Sequence, residues 1–86
     1  VWRVLCMLIN EAIDALYLKI ASKEDIDKAM KNGVNYPKGL LEWGDEIGHR
    51  IILDEINKLR KTYSEYRYRP SPLLIFLSNN EKKIFE

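Results

Sequence analysis

Apolar side chains recur at spacings of three and four along the first twenty residues, the pattern of one face of an amphipathic helix. The spacing predicts a long first helix over residues 2–20. Its inward face would consist of Trp2, Leu5, Ile9, Ala12, Ile13, Leu16 and Ile20. A polar stripe on the later turns would be formed by Asn10, Glu11, Asp14 and Lys19.

The first half of this helix also carries apolar residues outside that face, namely Val4, Cys6, Met7 and Leu8. A helix that is apolar all round is buried all round. In so short a chain, the second buried face is expected to meet another molecule. We therefore predict a homodimer whose interface includes Val4, Met7 and Leu8.

A second helix is predicted to begin after Ser22, whose hydroxyl suits the capping position, and to end at Gly33 in a left-handed conformation. Its buried face would consist of Ile26, Ala29 and Met30. On its exposed side, the spacing predicts ion pairs four residues apart, Glu24 with Lys28 and Asp27 with Lys31.

Three further helices follow a turn at residues 36–39 that contains Pro37 and Gly39. The third covers residues 40–47 and stops at Gly48, and the fifth covers residues 73–79 behind the capping pair Ser71-Pro72. The fourth would turn Ile52, Ile56, Leu59 and Tyr63 inward. No useful alternating segment predicts a strand, so the fold class is all-α, with about five helices in a single domain over residues 1–86.

Composition fits one small packed domain, since 47% of the 86 residues are hydrophobic and 31% are charged. A self-contained two-domain enzyme does not fit in this length. The net charge of +1 argues against nucleic acid as the main partner, and the apolar run over residues 4–9 is too short to span a membrane. We expect a cytoplasmic protein. Helix-forming sequence from Val1 onward suggests a domain or fragment of a longer chain.

No catalytic, cofactor-binding or metal-binding residue is predicted within the chain. The four glycines form no G-x-G-x-x-G turn for a dinucleotide, and one cysteine and one histidine cannot build a disulfide or a zinc site. Cys6 is expected to be a small core residue. His49 is expected at the surface or at the start of a helix.

A basic, aromatic stretch leaves a weaker alternative open, a contact with phosphates and bases. Its members are Lys58, Arg60, Lys61, Tyr63, Tyr66, Arg67, Tyr68 and Arg69. Asp54, Glu55 and Glu65 dilute its charge, which favours a solvated loop.

Four segments in register give the chain a resemblance to a known family. The segments read Asn10-Glu11-Ala12-Ile13, Ala21-Ser22-Lys23-Glu24-Asp25-Ile26-Asp27-Lys28-Ala29-Met30-Lys31, Gly33-Val34-Asn35-Tyr36-Pro37-Lys38-Gly39 and Arg69-Pro70-Ser71-Pro72-Leu73-Leu74. With these segments the chain resembles the C-terminal domain of 3-hydroxyacyl-CoA dehydrogenases, which include 3-hydroxybutyryl-CoA dehydrogenases.

The resemblance implies a two-domain, NAD-dependent oxidoreductase of fatty-acid or hydroxybutyryl-CoA metabolism. In that family a Rossmann domain binds NAD and carries the catalytic pair. The helical domain, of the 6-phosphogluconate dehydrogenase C-terminal type, mediates dimerisation and helps to close the cleft over the acyl-CoA. This chain would need a Rossmann domain in cis or in trans, and alone it is expected to be inactive.

The chain departs from the family pattern at three places. Trp2 stands where the family has an active-site asparagine, Leu40 follows the turn where the family has a proline, and residues 75–86 replace the family's closing segment. These departures support an alternative function. The chain would then be a stand-alone helical interaction module that kept the dimer surface and lost the chemistry.

Overall fold

A computed structural model of the protein describes residues 2–33, 37–63 and 69–85. These residues form five helices, α1 (Trp2–Tyr17), α2 (Lys23–Gly33), α3 (Leu40–Ile47), α4 (His49–Tyr63) and α5 (Pro72–Asn79). No strand occurs in these three ranges, which confirms the all-α prediction. No helix in them is long and apolar enough to cross a membrane. Tyr36 of the predicted turn and residues 64–68 lie outside the described residues.

Helix α1 forms the centre of the molecule because it packs against α3, α4 and α5, whereas α2 packs mainly on α3. Burial of each large aliphatic side chain in such a core stabilises the fold by about 1.5–3 kcal/mol. The largest completely buried side chains come from four helices and are Ile9, Ile13, Leu41, Ile52, Ile56, Leu74 and Cys6.

The buried face of α1 is rotated from the predicted one. Cys6, predicted to lie outside it, is completely buried, and Asn10 of the predicted polar stripe is buried as well. Trp2, predicted to face inward, is 39% exposed. The spacing of Cys6, Ile9 and Ile13 by three and four residues puts all three on one side of the helix, and the other helices cover that side.

Helix α1 also ends three residues before the predicted end. Lys19 adopts a left-handed conformation with φ of 59°. The amides of Lys19 and Ile20 donate to the carbonyls of Leu16 and Ala15, the pattern of a Schellman motif. Ile20 therefore leaves the helix and is 72% exposed, so its predicted inward position was wrong.

The junction of α2 with α3 is made by Asp27. Its buried carboxylate accepts from the amides of Leu41 at 2.8 Å and Glu42 at 2.9 Å, at the start of α3. The predicted ion pair of Asp27 with Lys31 was therefore wrong, and Lys31 lies 3.8 Å from Glu42 instead. Gly39 has no side chain to cap α3, and a Cβ atom at this position would collide with Asp27.

The other features predicted for α2 are partly correct. The Ser22 hydroxyl accepts from the amide of Asp25 at 3.1 Å, which confirms the cap. Ile26 and Met30 pack against the core, but Ala29 is exposed. Gly33 does not have the predicted left-handed conformation, since Gly48 is the glycine with a positive φ.

Helices α3 and α4 are joined by Gly48 alone, with φ of 104°. The end of α3 and the inward positions of Ile52, Ile56 and Leu59 are as predicted. Tyr63 was predicted to point inward but is exposed at the end of α4, where its hydroxyl accepts from Arg3 at 3.2 Å.

The predicted cap of α5 is confirmed. The Ser71 hydroxyl accepts from the amide of Leu73 at 3.3 Å, and Pro72 occupies the first helical position.

Candidate functional site

The N-terminal end of α1 lies against α4. It carries Trp2, which occupies the position where the resemblance leads us to expect the family's asparagine. The indole Nε1 of Trp2 donates to Glu55 Oε1 at 3.2 Å. The carboxylate of Glu55 also lies 3.8 Å from Lys58 Nζ. Trp2 therefore anchors the first turn of α1 on α4, and part of its ring remains exposed.

Cys6 follows one turn later and is completely buried. Burial, and after it the nearby carboxylate of Glu55, raises the pKa of the Cys6 thiol to about 11. The thiol is therefore protonated at neutral pH, and the thiolate is the nucleophilic form. This agrees with the prediction that Cys6 is a core residue.

The residues predicted at the dimer interface differ in exposure. Val4 is 57% exposed, whereas Met7 and Leu8 are half-buried and pack partly against the core. Their spacing places all three on one side of α1, away from the buried Cys6. Their contact with a second chain stays a prediction.

Asn10 joins α1 to the segment that precedes α5, a role not predicted from the sequence. Its Nδ2 donates to the carbonyl of Arg69 at 3.0 Å, and its Oδ1 accepts from the amide of Ser71 at 2.8 Å. A groove of about 350 Å³ lies beside this bridge. The groove is lined by Asn10, Glu11, Asp14, Arg69, Pro70, Ser71 and Pro72.

His49 is the first residue of α4, and the start of a helix was one of its two predicted positions. It is buried, so it does not occupy the other predicted position, at the surface. Its Nε2 lies 3.4 Å from Asp45 Oδ1, on the preceding turn of chain. Burial lowers the pKa of His49 below its ordinary value, and Asp45 and the backbone of Lys82 oppose that shift. The imidazole is therefore neutral at pH 7.

Asp45 also holds residues 82–85, here called the strap. Its carboxylate accepts from the amides of Ile84 at 2.8 Å and Phe85 at 2.9 Å. On the other side, Lys23 Nζ donates to the carbonyl of Ile84 at 3.0 Å and lies 5.3 Å from the centre of the Phe85 ring. The strap is therefore fastened to both α2 and α3.

A groove of about 640 Å³ lies between α2, α3 and the strap. Much of its charge is engaged within the chain, since Lys38 pairs with Glu46 at 2.6 Å and Lys31 with Glu42. Within the ranges described above, no three His, Cys, Asp or Glu side chains come together as they would to hold a metal ion.

The structure describes only part of the basic, aromatic stretch over residues 58–69. Lys58 pairs with Glu55, and the backbone carbonyl of Arg69 is bound by Asn10. Tyr66, Arg67 and Tyr68 lie outside the described residues.

Comparison with known proteins identifies the family. The sequence model of "3-hydroxyacyl-CoA dehydrogenase, C-terminal domain" matches residues 1–83. The chain belongs to this family. The resemblance seen in the sequence is thereby confirmed.

Relatives of this dehydrogenase family are much longer than the chain. It is 51% identical over 74 residues to the 3-hydroxyadipyl-CoA dehydrogenase of Escherichia coli, covering 86% of this chain and 16% of the relative. It is 43% identical over 72 residues to a 3-hydroxybutyryl-CoA dehydrogenase of Clostridioides difficile, and this match covers 84% of this chain and 26% of the relative.

The fold agrees with the sequence match. A crystal structure of the (S)-3-hydroxybutyryl-CoA dehydrogenase of Ralstonia eutropha superposes with a TM-score of 0.90 at 37% identity. That superposition covers 94% of this chain and 29% of the enzyme. The chain thus spans less than a third of the length of these relatives.

Proposed function

We propose that the chain is the helical C-terminal domain of a cytoplasmic, NAD-dependent 3-hydroxyacyl-CoA dehydrogenase of fatty-acid or hydroxybutyryl-CoA metabolism. It forms the homodimer contact and closes the acyl-CoA side of a cleft that a Rossmann domain completes in cis or in trans. The observation that carries this proposal is the family match over residues 1–83, made on a chain with the same helical fold.

The dimer contact is supported by the apolar side of α1. Val4 is largely exposed, and Met7 and Leu8 are only half-buried. On the same side of α1, Leu8 follows Val4 by four residues and Glu11 follows it by seven. Because Glu11 is charged, the apolar surface is confined to the first half of the helix. Contiguous exposed apolar patches larger than a few hundred Å² are uncommon on monomers and mark contact surfaces.

Sedimentation at micromolar concentration tests the dimer, and a species of twice the chain mass is expected. Val4→Asp should dissociate it, since the new carboxylate would be buried without a partner at the interface. Val4 is the cleanest position because, unlike Leu8, it does not pack against the core. Leu8→Asp should dissociate or unfold the protein.

Asn57→Asp is the matched control, because it adds one carboxylate at an exposed position of α4. It should leave the dimer intact. A wild-type chain that sediments only as a monomer, or a dimer unaffected by Val4→Asp, would contradict the proposed contact.

The residues of this chain support the proposal that a separate Rossmann domain binds NAD and carries the catalytic residues. It lacks a phosphate-binding G-x-G-x-x-G turn, and its single histidine is buried against Asp45. Calorimetry with NAD at millimolar concentration should show no saturable heat. Turnover of 3-hydroxyacyl-CoA by this chain alone would place the chemistry here instead.

One observation favours the alternative function, a stand-alone helical interaction module. The residue at the expected asparagine position is Trp2, and its indole is engaged by Glu55. Such a module would form the same dimer without joining a Rossmann domain. A coding segment for a Rossmann domain adjacent in the genome would favour the dehydrogenase, and its absence the module.

A further inference from the structure

Helix α2 is anchored to the rest of the molecule by few buried side chains. Asp27 is its buried residue, and Ile26 and Met30 are half-buried against the core. The helix packs mainly on α3, with a smaller contact to α1. An isolated helix of 11 residues is marginal in water, so α2 depends on tertiary contacts for its stability.

The strap reaches α2 from the end of α5. There Glu81 adopts a left-handed conformation with φ of 52°. The amides of Glu81 and Lys82 donate to the carbonyls of Ser78 at 3.3 Å and Leu77 at 3.0 Å, the pattern of a Schellman motif. The strap therefore leaves α5 through a hydrogen-bonded turn, and its first residue is fixed to that helix.

The far end of the strap is held by four polar contacts. Asp45 of α3 accepts from the amides of both Ile84 and Phe85. Lys23 of α2 donates to the carbonyl of Ile84 and lies over the Phe85 ring. The Ile84 side chain packs against the core. The strap is therefore a third connection between α2 and α3, in addition to the Asp27 cap and their direct packing.

The position of Lys23 favours the strap over the helix. It is the first residue of α2, where a positive charge opposes the helix dipole. Glu24 and Asp25, in the same turn, carry the charge that the dipole favours. Lys23 contributes instead through its contact with the strap, because a hydrogen bond from a charged donor is roughly twice as strong as one between neutral groups.

We propose that the strap is a brace on α2. While residues 84 and 85 are bound, α2 stays closed on α3. When they are released, α2 opens from α3 as a unit and the core formed by α1, α4 and α5 stays folded, as segments of low local stability do. Opening moves one wall of the 640 Å³ groove, because Glu24, Lys28, Lys31 and Asn32 of α2 line it. The strap thereby sets the width of this groove.

Amide hydrogen exchange of the full chain tests the brace. Lys23→Met removes the donor and the charge, so the protection factors of the Lys28 and Ala29 amides inside α2 should fall about tenfold or more. Loss of this charge alone would favour the helix, so a fall in protection has to come from the strap. Phe85→Ala removes the ring beneath Lys23 and should lower the same protection factors about two- to fivefold. The amide of Ile56 in the middle of α4 should keep its protection.

Two matched variants serve as controls. Phe76→Ala removes a similarly exposed ring outside the strap, on α5, and should leave α2 protected. Lys23→Arg keeps the donor and the charge, and should keep α2 close to its original protection. The brace is overturned if Lys23→Met and Phe85→Ala leave α2 protected, or if α2 and Ile56 lose protection equally. It is also overturned if Phe76→Ala affects α2 as much as Phe85→Ala does.

Discussion

A single carboxylate caps α3 from another helix. Asp27 of α2 accepts from the amides of Leu41 and Glu42, and Gly39 leaves the space for it. Asp27→Ala should lower the free energy of unfolding by about 1–3 kcal/mol, because two amides lose their acceptor. Urea denaturation measures this loss.

The matched control is Asp54→Ala on the exposed side of α4, which should change stability by no more than about 0.5 kcal/mol. Gly39→Ala should cost a similar amount to Asp27→Ala, and the double variant should cost less than the sum, since both break the same contact. Equal effects of Asp27→Ala and Asp54→Ala would show that the cap contributes nothing.

The polar residues with structural roles were the hardest to predict. The sequence predicted an ion pair of Asp27 on its own helix and a place for Asn10 in a polar stripe. The surface was one of the two positions predicted for His49. All three residues are buried. The partners of Asp27 and Asn10 lie far along the chain, at Leu41 and Ser71. One signal was available for Asp27. Gly39 at the start of α3 has no side chain, so the cap had to come from elsewhere.

At the scale of elements, Asn10 is the joint between α1 and the segment that leads into α5. Asn10→Ala removes a donor and an acceptor at once and leaves the buried amide of Ser71 unpaired. It should cost about 1–3 kcal/mol of unfolding free energy. Asn57→Ala, on the exposed side of α4, is the control and should cost far less. Equal losses in thermal or urea unfolding would mean that the bridge does not hold the segment.

Helix ends were predictable where a local residue marks them. Ser71 and Pro72 define the start of α5, and Gly48, with its positive φ, separates α3 from α4. The end of α1 was not predictable in this way, because Lys19 adopts the left-handed conformation without a glycine to announce it. The strap was also missed, since its anchors Lys23 and Asp45 lie on other elements.

For the whole molecule, the hydrophobic periodicity located the helices and most of the core. The periodicity shows which apolar residues share a face of a helix. The rotation of each helix about its own axis, however, depends on the helices that pack against it. This explains why Cys6 is buried although it was placed outside the inward face, and why Trp2, Ala29 and Tyr63 are exposed. The family was predictable from four segments in register, whereas the dimer contact depends on a second chain.

Trp2 bears most directly on the activity of a complete enzyme. The resemblance implies that an asparagine at this position would supply a polar contact in the active site, and loss of one preorganised donor costs about 2.7–4 kcal/mol of transition-state stabilisation. Indole has one donor, which Glu55 already binds. Trp2→Asn should therefore raise activity about 10-fold or more once a Rossmann domain is present.

The central claim is that this chain serves as the helical domain of a dehydrogenase. Its most direct test is a chimaera in which residues 1–83 replace the matching segment of the Ralstonia eutropha 3-hydroxybutyryl-CoA dehydrogenase. Steady-state kinetics with 3-hydroxybutyryl-CoA and NAD would compare this chimaera with its Trp2→Asn form. The account predicts a folded dimer with low kcat/KM that Trp2→Asn increases about 10-fold or more. A folded chimaera without activity in either form would contradict it.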